Sequence, residues 1–121
     1  MKHILLVDDD PDILMLERKI LERAGYAIST ADDGSRAMEL LGEQDYDLLL
    51  LDIMMPGIDG FEVSRFIQQR PDAEPVPIVF VTARDDPDSM REGFRSGGTV
   101  FLSKPFTANQ LIRLVKAMIG D

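Results

Sequence analysis

Short, almost continuously apolar runs alternate with amphipathic stretches from one end of the chain to the other. Apolar runs of this kind are typical of parallel strands that are covered on both faces by helices. The alternation therefore predicts five strand–helix units in a single α/β domain that spans residues 1–121. The predicted strands are residues 4–7, 27–31, 48–51, 78–82 and 100–103.

Local capping signals predict where the helices begin. Asp10 before Pro11 has the pattern of an N-cap followed by the first helical residue, and Gly25 ends this helix. The buried face expected on it consists of Ile13, Leu16, Ile20, Leu21 and Ala24. The other predicted starts are Asp59 with Glu62, Asp86 with Pro87, and the capping box of Thr107 with Gln110.

The last two helices differ in what they offer to a core. The apolar face of the fifth helix consists of Leu111, Leu114, Val115 and Met118. The fourth helix offers only Met90 and Phe94, and it contains Gly93, which lowers helix propensity. We therefore expect the fourth helix to be the least stable of the five.

Composition excludes several kinds of chemistry. The chain has no Cys and a single His, His3, which excludes thiol nucleophiles, iron–sulfur clusters and Cys/His zinc sites. Its apolar runs are far shorter than the roughly 18 residues of a membrane helix, so we expect a soluble, cytoplasmic protein without a membrane partner. A net charge of -9 argues against direct binding to nucleic acid, which requires a basic surface.

Three carboxylates follow predicted strands: Asp8 and Asp9 come after the first strand, and Asp52 comes after the third. In a parallel sheet of order 2-1-3-4-5, the strand order reverses between strands one and three, and sites form at the carboxyl ends there. The three side chains should therefore converge. Clustered carboxylates repel one another unless a cation lies among them, so the pattern predicts an oxygen-preferring ion, above all Mg²⁺.

Two further polar residues follow the remaining strands, Thr82 after the fourth and Lys104 after the fifth. An ammonium offsets the repulsion between carboxylates, and a hydroxyl can donate to a phosphoryl oxygen. Alone, each would be an ordinary capping Thr or surface Lys. Together with the carboxylates, at four successive strand ends, they are hard to dismiss as a chance arrangement. The sequence contains no glycine-rich loop that could hold the phosphates of a nucleotide.

Four motifs make the sequence resemble the receiver domain of bacterial two-component response regulators. They are V-D-D-D-P at residues 7–11, L-D-x-M-M-P-G-x-D-G at 51–60, V-T-A at 81–83 and K-P-F at 104–106. The resemblance covers essentially the whole chain. It implies a flavodoxin-like (βα)5 doubly wound sandwich, with a five-stranded parallel sheet in the order 2-1-3-4-5.

The resemblance also implies what each site residue does. Asp52 accepts a phosphoryl group from the phosphohistidine of a sensor histidine kinase or histidine phosphotransfer protein. Asp9, Asp52 and the backbone carbonyl of Met54 bind Mg²⁺, and Asp8 reaches the ion mainly through water. Mg²⁺ and Lys104 shield the attacking carboxylate from the phosphoryl charge. The domain is then a phosphotransfer acceptor with at most weak autodephosphorylation activity, and not an ATP-using enzyme.

A switch is implied at Thr82 and Phe101. Thr82 hydrogen-bonds the new phosphoryl oxygens, and the ring of Phe101 moves into the space that Thr82 leaves. The family often has Tyr at this position. Phe has no hydroxyl that must stay paired on burial, so we expect an inward ring even without phosphate. The Lys104–Pro105 peptide is expected to be cis, and Met54 and Arg84 are expected to tune the phosphoryl lifetime.

A downstream protein partner is expected on the face of the fourth helix, fifth strand and fifth helix. The cationic residues there lie in the only part of the sequence that is not acidic, and they are Arg91, Arg95, Arg113 and Lys116.

Because the sequence stops just after the fifth helix, we expect either a domain that acts alone through protein contacts or a part of a longer regulator.

Two other functions remain open from the sequence. A haloacid-dehalogenase-like phosphohydrolase would use Asp8 as its nucleophile, with Asp10, Thr82 and Lys104 in its first motifs. That alternative leaves the motif at residues 51–60 unexplained. A receiver-like module that binds partners without phosphorylation would keep the fold and make no use of the site.

Overall fold

The computed structural model describes residues 1–69, 76–83, 87–95 and 100–120 of the chain. Within these ranges strands and helices alternate strictly. The strands are β1 His3–Val7, β2 Ala27–Ala31, β3 Leu48–Leu51, β4 Ile78–Thr82 and β5 Val100–Ser103. The helices are α1 Pro11–Arg23, α2 Gly34–Glu43, α3 Gly60–Gln68, α4 Pro87–Arg95 and α5 Ala108–Ile119. The strands match the prediction, except that β1 begins one residue earlier, at His3.

The five strands form one parallel sheet in the order β2-β1-β3-β4-β5. The predicted flavodoxin-like (βα)5 sandwich is therefore confirmed. β1 pairs with β2 on one side and with β3 on the other, so the strand order reverses there. Val7 lies beside Leu51 in this register, which makes Asp8 and Asp52, the residues that follow them, neighbours at the carboxyl end of the sheet.

Alternate strand residues point to opposite faces of the sheet and divide the core into two layers. Leu5 and Val7 of β1 pack with buried side chains of α2 and α3 on one face. Ile4 and Leu6 pack with α1 and α5 on the other face. Burying one such side chain contributes about 1.5–3 kcal/mol. Strands buried on both faces need apolar residues at every position, and β3 is accordingly four consecutive Leu residues.

Side-chain caps begin α1, α2, α3 and α5. The carboxylates that cap the first three accept hydrogen bonds from first-turn N–H groups, and they belong to Asp10, Asp33 and Asp59. Thr107 and Gln110 form the predicted capping box of α5. Each cap satisfies backbone groups that the helix leaves unpaired. Among the described residues, no helix combines the length and the apolar character that a membrane span requires.

The predicted buried face of α1 is partly wrong. The buried residues are Leu14, Glu17 and Leu21, whereas Leu16 is 50% exposed. α1 packs against β1, β2 and α5, and this packing selects the face with Leu14 over the more apolar face that periodicity predicts. A tertiary contact thus overrides the local pattern, and it buries an acid.

The predicted buried face of α4 is wrong at Met90. Ser89 and Gly93 are buried, whereas Met90 is exposed. Small residues on this face allow the helix to lie close to the sheet, where larger side chains already occupy the space. Asp86 and the side chain of Phe94, both named in the prediction, lie outside the described residues.

Candidate phosphoryl-acceptor site

The three predicted carboxylates converge at the carboxyl end of the sheet. Asp8 and Asp9 follow β1, Asp52 follows β3, and one carboxylate oxygen from each lies within 4.8 Å of the others. Asp8 and Asp52 are buried, whereas Asp9 is exposed. The parallel register of β1 and β3 produces this cluster, and the exposed member leaves one side of it open to solvent.

Lys104 contributes the cation of the site. Its Nζ donates to Asp8 Oδ2 at 2.8 Å and to Asp52 Oδ2 at 3.3 Å. Its backbone N–H donates to the carbonyl of Thr82 at 3.0 Å, which fixes the residue after β5 to the end of β4. The Lys104–Pro105 peptide is cis, as expected. One ammonium therefore bridges the two buried carboxylates of the cluster.

Burial and neighbouring charges shift pKa values at the site. Burial has the largest effect on Asp52 and, together with the charge of Asp8, raises the pKa of its carboxyl despite the opposing effect of Lys104. Burial also lowers the pKa of Lys104, but its hydrogen bond to Asp8 and the two carboxylate charges outweigh this and raise that pKa overall. Lys104 is thus an ammonium at neutral pH, and Asp52 is more basic than an ordinary carboxylate.

The segment after β3 holds Asp52 in position. The N–H of Met54 donates to Asp52 Oδ1 at 3.1 Å. At the start of α3, the N–H of Gly60 donates to the carbonyl of Ile53 at 3.2 Å. A Cβ added at Gly60 would lie only 2.3 Å from the carbonyl oxygen of Asp52. Glycine at this position therefore allows α3 to approach the backbone of the predicted acceptor, which a side chain would prevent.

Thr82 and Met54 occupy different surroundings beside the carboxylates. Thr82 ends β4, the strand next to β3, and is 1% exposed. The side chain of Met54 is exposed. Arg84, the other residue predicted to tune the phosphoryl lifetime, lies outside the described residues. The structure thus gathers Asp8, Asp9 and Asp52 within 4.8 Å of one another and connects Lys104 to Asp8 and Asp52. It places Thr82 at the adjacent strand end.

The predicted switch residue Phe101 is half-buried on β5. It lies beside Phe80 in the strand register, and the two ring centroids are 5.2 Å apart. Phe80 is fully buried. The ring of Phe101 is therefore packed against the core in this structure. Its role as a switch stays a prediction.

A further buried acid that the sequence pattern did not predict is Glu17 on α1. It is 2% exposed, and its Oε2 has no hydrogen-bond partner among the described residues. Burial is the main cause that raises the pKa of Glu17 to about 8, and the charges of Asp8 and Asp52 raise it further against Lys104. Its spacing from Leu14 and Leu21 could have revealed it, because these three positions share a helix face.

The chemistry of the donor set fits Mg²⁺. Three carboxylates offer hard oxygen ligands within 4.8 Å of one another, and two of them are buried. Hard oxygen ligands suit Mg²⁺, whereas softer metals prefer Cys and His. The chain has no Cys, and its single His, His3, lies at the opposite end of β1. Lys104 neutralises only one of the three carboxylate charges, and a divalent cation would balance the other two.

Comparison with known proteins identifies the family. Residues 4–116 match the response regulator receiver domain, and the chain belongs to this family. One relative, the transcriptional regulatory protein ResD of Bacillus subtilis, is 40% identical over 116 residues, which are 96% of this chain and 47% of ResD. The chain spans about half the length of the curated relatives that it matches.

Solved structures share the fold over its whole extent. Chemotaxis protein CheY4 of Vibrio cholerae superposes with a TM-score of 0.93 at 30% identity, and 98% of each chain is covered. The receiver domain of the sensor histidine kinase PA1611 of Pseudomonas aeruginosa gives a TM-score of 0.89 at 30% identity and covers 99% of this chain and 98% of its own. That structure has a magnesium ion coordinated in the active site cleft.

Proposed function

We propose that Asp52 receives a phosphoryl group from the phosphohistidine of a sensor histidine kinase or histidine phosphotransfer protein, in a reaction that requires Mg²⁺. The observation that carries this proposal is the buried Asp52 carboxylate, which lies in one cluster with Asp8 and Asp9 and shares the ammonium of Lys104. A carboxylate attacks phosphorus readily only where the two negative charges are offset. Membership of the receiver family supports the same function.

The transfer is a displacement at phosphorus. One oxygen of Asp52 bonds to phosphorus while the phosphorus–nitrogen bond of the phosphohistidine breaks, and the electron pair of that bond returns to the imidazole nitrogen. Lys104 Nζ, 3.3 Å from Asp52 Oδ2, is close enough to donate to the incoming phosphoryl oxygens. Thr82, at the end of the next strand, would donate its hydroxyl to another of them.

Mg²⁺ would be held by Asp9, Asp52 and the backbone carbonyl of Met54, with Asp8 reaching it through water, and would neutralise phosphoryl charge. The exposed carboxylate of Asp9 lies on the open side of the cluster, where an ion and a phosphodonor can enter. The N–H of Met54 holds Asp52 Oδ1 at 3.1 Å and so keeps the acceptor oriented.

The hydrogen bonds favour Asp52 over Asp8 as the nucleophile. Asp8 accepts from Lys104 at 2.8 Å and from the N–H of Asp10 at 2.9 Å, so both its oxygens are held by short hydrogen bonds. The contacts of Asp52 are longer, at 3.1 and 3.3 Å, and its pKa is raised mainly by burial. A less strongly held carboxylate is the better nucleophile, which argues against the phosphohydrolase alternative.

The face formed by α4, β5 and α5 is the proposed output surface. Its cationic residues are exposed, and they are Arg91, Arg95, Arg113 and Lys116. An otherwise acidic chain would present this face to a neutral or acidic protein partner. ResD is a transcriptional regulatory protein, so a domain that controls transcription is one downstream partner we propose.

The cytoplasmic location, the weak autodephosphorylation and the absence of direct nucleic-acid binding stay predictions.

The acceptor is tested by treating the protein with acetyl phosphate and Mg²⁺ and locating the phosphoryl adduct by mass spectrometry. We expect one adduct, on Asp52, which is lost in Asp52→Asn and in the presence of EDTA. Asp45→Asn is the matched control, since Asp45 is an exposed carboxylate and its loss should leave the adduct in place.

The alternatives give different results in the same experiment. An adduct that persists in Asp52→Asn but disappears in Asp8→Asn would move the nucleophile to Asp8 and support the phosphohydrolase. No adduct in the unchanged protein, under conditions in which Mg²⁺ binds, would support a module that acts without phosphorylation.

A further inference from the structure

Gly93 lies on the face of α4 that packs against the sheet. It is buried, and its neighbours there are aromatic rings. A Cβ added at Gly93 would lie 2.5 Å from Cζ and 2.8 Å from Cε2 of Phe101, and 3.1 Å from Cδ2 of Phe80. The tip of the Phe101 ring therefore occupies the volume that a side chain at position 93 would fill.

The two rings would respond differently to such a side chain. Phe80 is fully buried, and its ring also packs against that of Phe61, so it has little room to move. The atoms of Phe101 nearest to Gly93 are at the far end of a half-buried side chain, which can rotate toward solvent. A larger residue at position 93 is thus accommodated by displacing Phe101 rather than the core.

We propose that Gly93 is a positioning residue for Phe101. Because Gly93 has no side chain, α4 leaves a space beside Phe80, here called the seat, which the tip of the Phe101 ring fills. The ring and α4 therefore cannot move independently. The consequence for signalling rests on the proposed function, in which the position of this ring responds to phosphorylation of Asp52. A partner that binds α4 then biases the ring, and by reciprocal linkage the ring biases the affinity for that partner.

The chain offers a matched control for this seat. Gly42 lies within α2, and a Cβ added there meets no heavy atom within 4 Å. Replacing a helical Gly by Ala in open space stabilises a protein through helix propensity and reduced freedom of the unfolded chain. Gly42→Ala should therefore raise the midpoint of denaturant unfolding. Gly93→Ala should fail to raise it while Phe101 is present and should raise it in the Phe101→Ala background.

Fluorine NMR reports the ring directly. The six Phe residues are labelled with 4-fluorophenylalanine, and the Phe101 resonance is assigned by its loss in Phe101→Leu. Without Mg²⁺ or a phosphodonor, we expect Gly93→Ala to move the Phe101 resonance toward the solvent-exposed position and to increase its broadening by a soluble paramagnetic probe. Gly42→Ala should leave it unchanged.

Two results would overturn the seat: an unchanged Phe101 resonance in Gly93→Ala, or an equal rise in the unfolding midpoint for Gly93→Ala and Gly42→Ala. If Gly93→Ala does not fold, the Gly93→Ala/Phe101→Ala pair decides, since recovery of the fold supports the seat and failure to recover contradicts it. Beryllofluoride, a phosphoryl mimic, is added last. The Gly93→Ala results could support the seat while beryllofluoride shifts the Phe101 resonance as much in Asp52→Asn as in the unchanged protein. That outcome would contradict the proposed function and leave the seat supported.

Discussion

Buried carboxyl groups occur in two regions of this molecule, and their surroundings differ. At the carboxyl end of the sheet, Asp8 and Asp52 share the ammonium of Lys104 and accept backbone N–H groups. In the layer between the sheet and α1, Glu17 is as buried as Asp8, yet its Oε2 has no hydrogen-bond partner among the described residues. The first region keeps its charges partnered, and the second does not.

The difference shows that the protonation state of a buried acid in this fold depends on whether a cation is paired with it. A buried carboxylate with a cation stays ionised and available for chemistry, whereas one without a partner takes up a proton. With a pKa of about 8, Glu17 binds a proton on folding at pH 7, which costs about 3 kcal/mol relative to a group that is neutral in both states. Glu17 is therefore a position at which stability can be gained without changing Asp52, the proposed acceptor.

The largest effect on stability is expected from Glu17→Leu. Leucine needs no proton and adds apolar contacts between Leu14 and Leu21, so the free energy of unfolding at pH 7 should rise by about 3 kcal/mol or more. Denaturant unfolding in EDTA measures it. Glu22→Leu, at an exposed position of the same helix, is the control and should change stability by about 0.5 kcal/mol or less. A loss of stability in Glu17→Leu would mean that the carboxyl has a stabilising partner.

The second prediction concerns pH. Glu17 has a raised pKa in the folded protein, so its contribution to stability is fully present below its unfolded pKa and is lost as pH rises toward about 8. Between pH 5 and pH 7 this lowers the free energy of unfolding by about 2–3 kcal/mol. Glu17→Gln should remove that part of the slope. Asp8, Asp52 and Lys104 act on Glu17 electrostatically, so the difference between the two proteins is the quantity to measure. Parallel pH profiles would refute the prediction.

A smaller effect on stability is expected when the cation of the Asp8–Asp52 pair is removed. Lys104→Met leaves Asp8 and Asp52 facing each other without a cation. Because Lys104 is about one-fifth exposed, we expect a discounted loss of about 2 kcal/mol. Mg²⁺ should restore more stability to this variant than to the unchanged protein. Lys116→Met, an exposed control, should show neither effect. An equal gain in stability from Mg²⁺ in all three proteins would show that Lys104 does not affect Mg²⁺ binding.

Most of the fold was predictable because its signals are local. Continuous apolar runs mark strands buried on both faces, and caps such as Asp10 and Thr107 mark helix starts within one turn of sequence. The convergence of Asp8, Asp52 and Lys104 was predictable as well, since parallel strands bring their carboxyl ends to one edge.

The buried helix faces were less predictable because they depend on tertiary packing. On α1 the predicted face and the buried face share Leu21. The other predicted residues, Ile13, Leu16, Ile20 and Ala24, are all apolar, whereas the buried face adds Leu14 and the acid Glu17. Contact with β1, β2 and α5 decides between them, and hydrophobic periodicity does not contain that information. The same holds for α4, where the fit of Gly93 to Phe101 exists only after the helix has docked.

The candidate site also joins parts of the chain that are far apart in sequence. Lys104 lies 96 positions from Asp8 and 52 positions from Asp52, so their contacts exist only once β1, β3 and β5 have all joined the sheet. Closing such long segments carries a large entropic cost that a partly folded chain has not yet met. An incomplete chain therefore has the carboxylates without their ammonium. Under the proposed function, a chain therefore becomes able to accept a phosphoryl group only once all three strands have joined the sheet.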